Sequence, residues 1–461
     1  MMITVVQAFD RQPITELPGD DARALEIKLA IAHRLFKDRS SWLKPHQRIG
    51  VLRKLASLLE AKREHLARQI AREGGKPYAD ALVETARAVD GLRVAAEELG
   101  SRAGREIPMG ITASSENRRA WTLKEPIGVV AAVSAFNHPL NLAVHQVAPA
   151  IATGCPVIIK PAGATPLSCL ELVKTALEAG LPEGWVQTFL PESRALAEAF
   201  VSDPRVAFLS FIGSAEVGWH LRSKLAPGAR CALEHGGVAP LIIDRSADLD
   251  RLIEPVTKGG YYHAGQVCVS VQRIYVHEAI HGEFVERFAR RVGALHTGDP
   301  LLATTEVGPL ITPRESDRIQ SWIDEAIAAG ARPIGGGRLS ETTLYPSILV
   351  QPPRDAKVST QEVFGPLTCV YGFRSLDDAI AEANALPVAF QSAIFTSDLR
   401  SAFLAAERLD ASAVMVNDHT AFRVDWMPFA GRHVSGHGVG GIAYTMHEMT
   451  AEKMVVFRSQ A

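Results

Sequence analysis

The sequence predicts an α/β fold in two or three domains, built on parallel sheets covered on both faces. Three observations predict it. From residue 128 onward, short apolar runs alternate with helix-length segments. Those runs are apolar throughout rather than alternating, as strands buried on both faces are. And 461 residues are too many for one ordinary core.

The elements follow in order. Residues 1–10 are uncharged until Asp10 and lack the basic start and apolar run of a secretion signal. Residues 22–100 read as helical. Apolar residues recur at three and four spacing over 49–70, with Lys and Arg opposite; Gly74 and Gly75 punctuate, and a further helix starts at Tyr78. Residues 118–124 alternate and are rich in polar groups, as an exposed hairpin would be. Strands are expected at 128–133, 156–160, 186–190 and 206–211. Between them lie helices at 139–151, with Pro139 at its start, at 166–180 and at 194–201. Gly213-Ser214 opens a helix towards Leu225. A second α/β segment begins at Leu241-Ile242-Ile243 and runs to about residue 430, with strands at 274–276, 392–395 and 413–416 and helices at 284–294 and 315–330. Residues 453–457 form an apolar terminal strand, whose edge calls for a partner. No internal repeat or low-complexity tract interrupts the pattern.

Composition narrows the function. Hydrophobic residues make up 47% and charged residues 22%, an ordinary globular mixture. A net charge of −2 supplies no field for nucleic acid or an anionic membrane. No stretch approaches the ~20 apolar residues that span a bilayer, so a cytoplasmic protein is expected. The five cysteines are odd in number and scattered, which argues against a disulfide framework or a zinc site. Four of them read as small buried hydrophobes.

The fifth is Cys268, in Gly265-Gln266-Val267-Cys268, downstream of Glu234 in Leu233-Glu234-His235-Gly236-Gly237. A cysteine with a carboxylate in a glycine-rich turn is a candidate nucleophile and base. Read singly, they are also a buried small residue and a salt-bridged turn. Asn137 follows the first parallel strand, in Phe136-Asn137-His138-Pro139. Ligands bind beyond the carboxyl ends of such strands, where an amide can donate to an oxyanion or cap the next helix. Lys160, in Lys160-Pro161-Ala162, could bond ribose hydroxyls or simply be solvated. Gly213 and Ser214 begin a helix whose free N–H groups suit a phosphate, without the Gly-x-Gly-x-x-Gly spacing of the common dinucleotide fold. In Glu362-Val363-Phe364-Gly365-Pro366, Glu362 could chelate ribose hydroxyls and Phe364 pack near a flat ring; alternatively this is a loop that begins a strand. Met427-Pro428-Phe429 follows further on.

Together, in this order and over residues 124–453, these strings resemble the aldehyde dehydrogenase superfamily, nearest its lactaldehyde, glyceraldehyde-phosphate and succinate-semialdehyde branches. The resemblance implies a Rossmann-like cofactor domain (1–107 and 127–236), an α/β catalytic domain (237–434) and a small β oligomerisation arm (108–126 and 447–461). It implies Cys268 as nucleophile, Glu234 as general base, and an oxyanion hole of Asn137 and the Cys268 N–H. Lys160, Gly213, Ser214, Glu362 and Phe364 would hold NAD or NADP. The partners implied are a small-molecule aldehyde and further copies of the chain, as a homodimer or homotetramer. The aldehyde would be oxidised to its acid through a cysteine thiohemiacetal and thioester. Glu234 favours hydrolysis over acyl transfer to coenzyme A, and the full set of Asn137, Glu234 and Cys268 argues against a silent homologue. A cysteine hydrolase using His263 would have no use for Lys160, Ser214 or Glu362.

Departures from the family pattern sharpen the expectation. Gln146 and Gly440 stand where many relatives pair a lysine with a glutamate, lost together as a buried ion pair would be. The usual Phe-Gly-Gly turn reads Phe429-Ala430-Gly431, and His235 replaces a leucine beside the base. Gly163 stands where NAD-preferring relatives carry a glutamate, so no carboxylate repels a 2′-phosphate. Arg423, with His138 and His145, replaces aromatics on the walls of the substrate tunnel, which Phe429 also lines. An arginine there suits an anionic or hydroxylated short aldehyde, unless it is a loop residue paired with Asp425; His138 and His145 read equally as an ordinary helix-start or packed histidine.

Overall fold

The computed structural model describes residues 1–459. A six-stranded sheet runs in the order Gly436–His437, Arg230–Glu234, Val206–Ile212, Val129–Val133, Val157–Lys160, Val186–Thr188. All neighbours are parallel except the short first strand. Successive side chains along Val129–Val133 enter opposite cores. Val130 and Ala132 pack with Leu52, Leu92 and Val144 of the helices Pro45–Ala61, Tyr78–Ser101 and Asn141–Thr153. Val129 and Ala131 pack with Leu29 and Phe200 of the helices Ala22–Lys37 and Arg194–Ser202. Burial on both faces is why the run has no polar alternation, and each large aliphatic side chain so buried contributes roughly 1.5–3 kcal/mol.

A second sheet of seven strands runs Arg332–Gly335, Ser347–Val350, Leu367–Phe373, Val271–His277, Ala239–Ile243, Gln391–Phe395, Ala413–Val416, parallel except at its first strand. The chain then returns to the first unit. Gly436–His437 joins the six-stranded sheet, and Ile442, Met446 and Met449 enter its helical core.

Several sequence expectations change. Residues 118–124 are not a hairpin by themselves but part of one strand, Arg118–Pro126, whose hairpin mate is Glu106–Ile107. The terminal strand, Thr450–Arg458, finds a partner within its own chain, pairing antiparallel with Arg118–Pro126 along its full length. Among the described residues its other edge has no partner strand, and Trp121 stacks on Phe457 at 5.3 Å on an exposed apolar face. Positions 460 and 461 of the expected arm lie outside the described residues. The helical run over 49–70 breaks at Lys62, between Pro45–Ala61 and Arg63–Gly74. The ammonium of Lys62 reaches Glu171, Thr175 and Glu178, so tertiary contacts set that break. The helix expected from Pro139 begins at Asn141 and carries Pro149 inside it. A hairpin of Met2–Val6 and Pro13–Pro18 opens the chain without a sequence signal strong enough to reveal it. Among the described residues no helix is long and apolar enough to cross a membrane, and no cluster of metal-ligating side chains occurs.

Candidate active site

Four neighbouring parallel strands end on one edge of the first sheet, and the singled-out residues sit at those ends. Glu234 and Lys160 are the last residues of their strands, paired in register with Ile212 and Val133. Asn137 and Ser214 lie just beyond Val129–Val133 and Val206–Ile212. Cys268 comes from the second unit. It follows a turn in which His263, Ala264 and Gly265 all take left-handed backbone angles (φ 49°, 54° and 70°). Two non-glycine residues in that region are strained, and at Gly265 a Cβ would overlap the Gly365 carbonyl. The Gly237 N–H donates to the Cys268 carbonyl at 3.2 Å, which ties the two strings together.

Cys268, Glu234, Asn137, Phe429 and the guanidinium-bearing Arg87 and Arg423 line one cavity of ≈ 50 Å³. Burial pushes the Cys268 thiol up to about 12; Arg423 pulls it down, while Glu362 and Glu234 add to the rise. Burial also raises Glu234 above the usual carboxylate range, opposed by Arg423, and its Oε2 has no partner. A base that works near neutral pH needs that direction of shift. A Cβ at position 440 would overlap Glu234 Oε1, so with Glu234 placed this way only glycine fits there. The Gln146 amide donates to the carbonyls of Val133 (3.2 Å) and Ser210 (2.9 Å), joining two strand ends instead of serving the base.

Asn137 does not cap the following helix. The N–H groups of Leu140 and Asn141 donate instead to Glu84, at 3.0 and 3.1 Å, and Glu84 is a fully buried partner of Lys76. The Asn137 amide donates to the Gln266 carbonyl at 2.9 Å, two residues before Cys268. An amide NH₂ has two donors, so one remains for an oxyanion.

The residues expected to hold a dinucleotide divide between the two units. Ser214 begins the helix Ala215–Ser223 with no side-chain cap, which leaves first-turn N–H groups for an anion. Beside it, Gly213 accepts from His235 Nδ1 at 2.9 Å, and a Cβ at Gly213 would press on the Phe211 ring. Lys160 donates only to the neighbouring Pro161 carbonyl, at 3.3 Å, and burial lowers its pKa. Nothing crowds Gly163. On the second unit, Glu362 is buried against Gly236, and its Oε1 has no partner. Burial, partly offset by Arg318, pushes its carboxyl up to about 8. Phe364 takes a left-handed backbone (φ 52°) and meets Phe136 edge-on at 5.7 Å. An orphaned buried carboxylate oxygen and an uncapped helix start fit the hydroxyls and phosphates of a nicotinamide dinucleotide.

At the other end of the cavity, Arg423 is not a solvated loop residue and does not pair with Asp425. Its guanidinium lies 3.5 Å from the Phe429 ring centroid and 3.4 Å from His145 Nδ1, and its Nε is buried without a partner. Asp425 instead accepts from Arg87 Nε and Nη2 (3.1 and 2.8 Å), Asn141 Nδ2 (3.1 Å) and His145 Nε2 (2.7 Å). His145 therefore stands behind Arg423, 2% exposed, as a packed histidine and not on the cavity wall. His138 does line the cavity, 3.1 Å from the Tyr262 hydroxyl. The sequence pattern did not reveal Arg87. It sits on the helix Tyr78–Ser101, 338 residues from Asp425, and reads as an ordinary helical arginine. Among the described residues His263 makes no hydrogen bond through either ring nitrogen, so none ties it to Cys268.

Residues 1–455 match the sequence profile of the family described as "Aldehyde dehydrogenase family". The chain is 36% identical over 452 residues to 3-sulfolactaldehyde dehydrogenase of Priestia megaterium, covering 98% of this chain and 94% of that protein. It superposes with a TM-score of 0.96 on aldehyde dehydrogenase 21 from Physcomitrella patens in complex with the reaction product succinate, at 34% identity, covering 99% of this chain and 95% of that one. It superposes with a TM-score of 0.94 on glyceraldehyde-3-phosphate dehydrogenase GapN from Methanocaldococcus jannaschii complexed with NADP, at 32% identity, covering 99% of both chains.

Proposed function

Because the chain belongs to the aldehyde dehydrogenase family, it is an NAD(P)-dependent oxidoreductase acting on an aldehyde group, and we propose that it converts a short anionic aldehyde to its acid through a thioester on Cys268. The observation that carries this reading is the single cavity shared by Cys268, Glu234, Asn137 and an arginine without an ion-pair partner, Arg423. Its small size suits a short substrate. Relatives named for sulfolactaldehyde and for glyceraldehyde 3-phosphate, and one binding succinate, support an anionic tail.

The residues take these roles. Arg423 holds the far end of the substrate with charge-assisted hydrogen bonds. Cys268 sulfur bonds to the carbonyl carbon, and the Asn137 amide with the Cys268 N–H holds the oxygen as it becomes negative. When bound, the cofactor supplies the hydride acceptor that turns this adduct into a thioester. Lys160, Gly213, Ser214, Glu362 and Phe364 would hold it between the two units. Glu234 then takes a proton from water, the water oxygen bonds to the acyl carbon, and the sulfur leaves with the acid released. In this reading 1–107 with 127–236 is the cofactor domain, 237–434 the catalytic domain, and 108–126 with 447–461 the arm.

Arg423→Ala tests the reading. The specificity constant for an anionic aldehyde should fall about tenfold to a hundredfold, matching a charge-assisted bond of ~1.5–3 kcal/mol. Neutral short aldehydes should change much less. Equal loss for both classes, or none, removes Arg423 as the anchor.

We also propose a cytoplasmic homodimer or homotetramer. Its five unpaired cysteines suit a reducing compartment. The free edge of Thr450–Arg458 and that of Ala413–Val416, the last strand of the seven-stranded sheet, each present unpaired backbone groups. Met454, Val456 and Phe457 beside the first are exposed. Light scattering at micromolar concentration should give a mass two or four times that of the chain; a monomer alone would refute the assembly.

A further inference from the structure

We propose that the far end of the cavity is charge-matched to an aldehyde carrying one negative charge, a sulfonate or carboxylate, and discriminates against a phosphate dianion. This deepens the role given to Arg423 above and rests on it.

The argument is a charge count. Two guanidiniums, Arg87 and Arg423, face the cavity. Between and behind them lies one carboxylate, Asp425, 2% exposed, bonded by Arg87, Asn141 and His145. Burial works to raise the Asp425 pKa, but the hydrogen bonds and charges of His145 and Arg87 hold it well below the usual range, so it stays ionised. The two histidines add no charge. His145 is pushed down to about 4 by burial and by Arg423, and burial with the Lys76 charge lowers His138. Burial keeps the Tyr262 phenol neutral. The remaining ions packed on Tyr262 cancel in pairs, Lys76 with Glu84 and Lys258 with Asp80. At the far end two positive charges and one negative leave a single positive charge for the tail, and Glu234, which faces Arg423 from the reacting end of the same cavity, offsets part of that charge when ionised and adds nothing to it. At the reacting end stand Cys268 and Glu234, each with its pKa raised by burial.

Free donors agree with the count. Arg87 has Nε and Nη2 committed to Asp425, which leaves Nη1. Arg423 has a buried Nε with no partner. One negative tail neutralises the pocket. A second negative charge would be buried without a counter-charge, close to a carboxylate base and a thiol that must ionise, which is costly in a poorly solvated site. Without Asp425 the same two arginines would suit a dianion.

The test uses three aldehydes on one carbon skeleton: 3-sulfolactaldehyde, glyceraldehyde 3-phosphate and lactaldehyde, with succinic semialdehyde as the carboxylate probe. A phosphate monoester loses its second proton near pH ~6, whereas a sulfonate stays singly charged. At about pH 8 the sulfonate and carboxylate should exceed the phosphate in kcat/KM by about tenfold or more, one pKa unit of interaction or above. The sulfonate-to-phosphate ratio should shrink as pH falls through about 6, where the phosphate takes up its second proton, because enzyme ionisations that act alike on both substrates divide out. Asp425→Asn should narrow the gap at pH 8 by about tenfold; should that variant not fold, the pH dependence of the wild-type ratio decides. A phosphate preferred at pH 8, or a ratio constant with pH, overturns the proposal. If lactaldehyde matches all three anions, the anionic reading itself falls. If the anions beat lactaldehyde but phosphate leads, only the charge matching falls.

Discussion

Replacing Cys268 with alanine is expected to abolish aldehyde oxidation while nicotinamide cofactor still binds. The thiol is the one sulfur on the cavity wall among the described residues; Cys155, Cys169, Cys231 and Cys369 are buried in the cores or sheets and cannot substitute for it. The turn that presents it is set by backbone, through the left-handed run His263–Gly265 and the Gly237 to Cys268 hydrogen bond, so the exchange removes chemistry and leaves the loop. Loss of a covalent nucleophile lowers kcat by roughly four orders of magnitude or more. Cofactor binding, read by fluorescence or calorimetry, should survive because its proposed residues lie outside the thiol. Dehydrogenase turnover within about tenfold of the wild type in Cys268→Ala would end the thioester mechanism.

Glu234→Gln should separate the two halves of the reaction. Glutamine keeps the shape that packs against Gly440 but cannot take a proton from water. Acylation of Cys268 should proceed, giving a burst of reduced cofactor in rapid mixing, followed by a steady state slower by about 10²–10⁴-fold. The pH profile adds a second readout. Burial raises the Glu234 pKa, and the carboxylate works as a base only when deprotonated. Steady-state hydrolysis in the wild type should therefore rise with pH through that raised value, above the ordinary carboxylate range, and Glu234→Gln should lose this limb. An unchanged steady-state rate in the variant would show that the base lies elsewhere.

The strand ends near Lys160, Asn137 and Ser214 were legible because two-sided burial forces a continuous apolar run, and ligands bind beyond such runs; the strand Arg230–Glu234 was not, since Glu234 reads as part of a glycine-rich turn. Cys268 stood out as a candidate from its string, and the structure sets it apart from the other four cysteines, which are buried while it lines the cavity. The N-terminal hairpin was not legible, since the five residues Met2–Val6, of which only Val5 is buried, carry too little pattern. Nor was the break at Lys62, where no glycine or proline marks the end of the helix and the deciding acceptors lie more than a hundred residues away.

The sequence by itself indicated an α/β fold with parallel sheets, though not the strands Arg230–Glu234, Arg332–Gly335, Ser347–Val350 and Leu367–Phe373, and it set the order of the candidate site strings and the arginine at position 423. Tertiary structure alone decided what that arginine meets. Local patterning encodes which face of a strand or helix is buried, but not which distant helix closes over it. The helix Tyr78–Ser101 brings Arg87 to Asp425, which frees Arg423 from the ion pair that sequence proximity suggested. The same carboxylate draws His145 off the cavity wall and behind Arg423. Glu84, taken up by the N–H groups of Leu140 and Asn141, releases Asn137 to face the Cys268 loop. In each case a buried polar group must find its partners within the fold, and the choice among partners is made by packing across hundreds of residues rather than by neighbours in the chain.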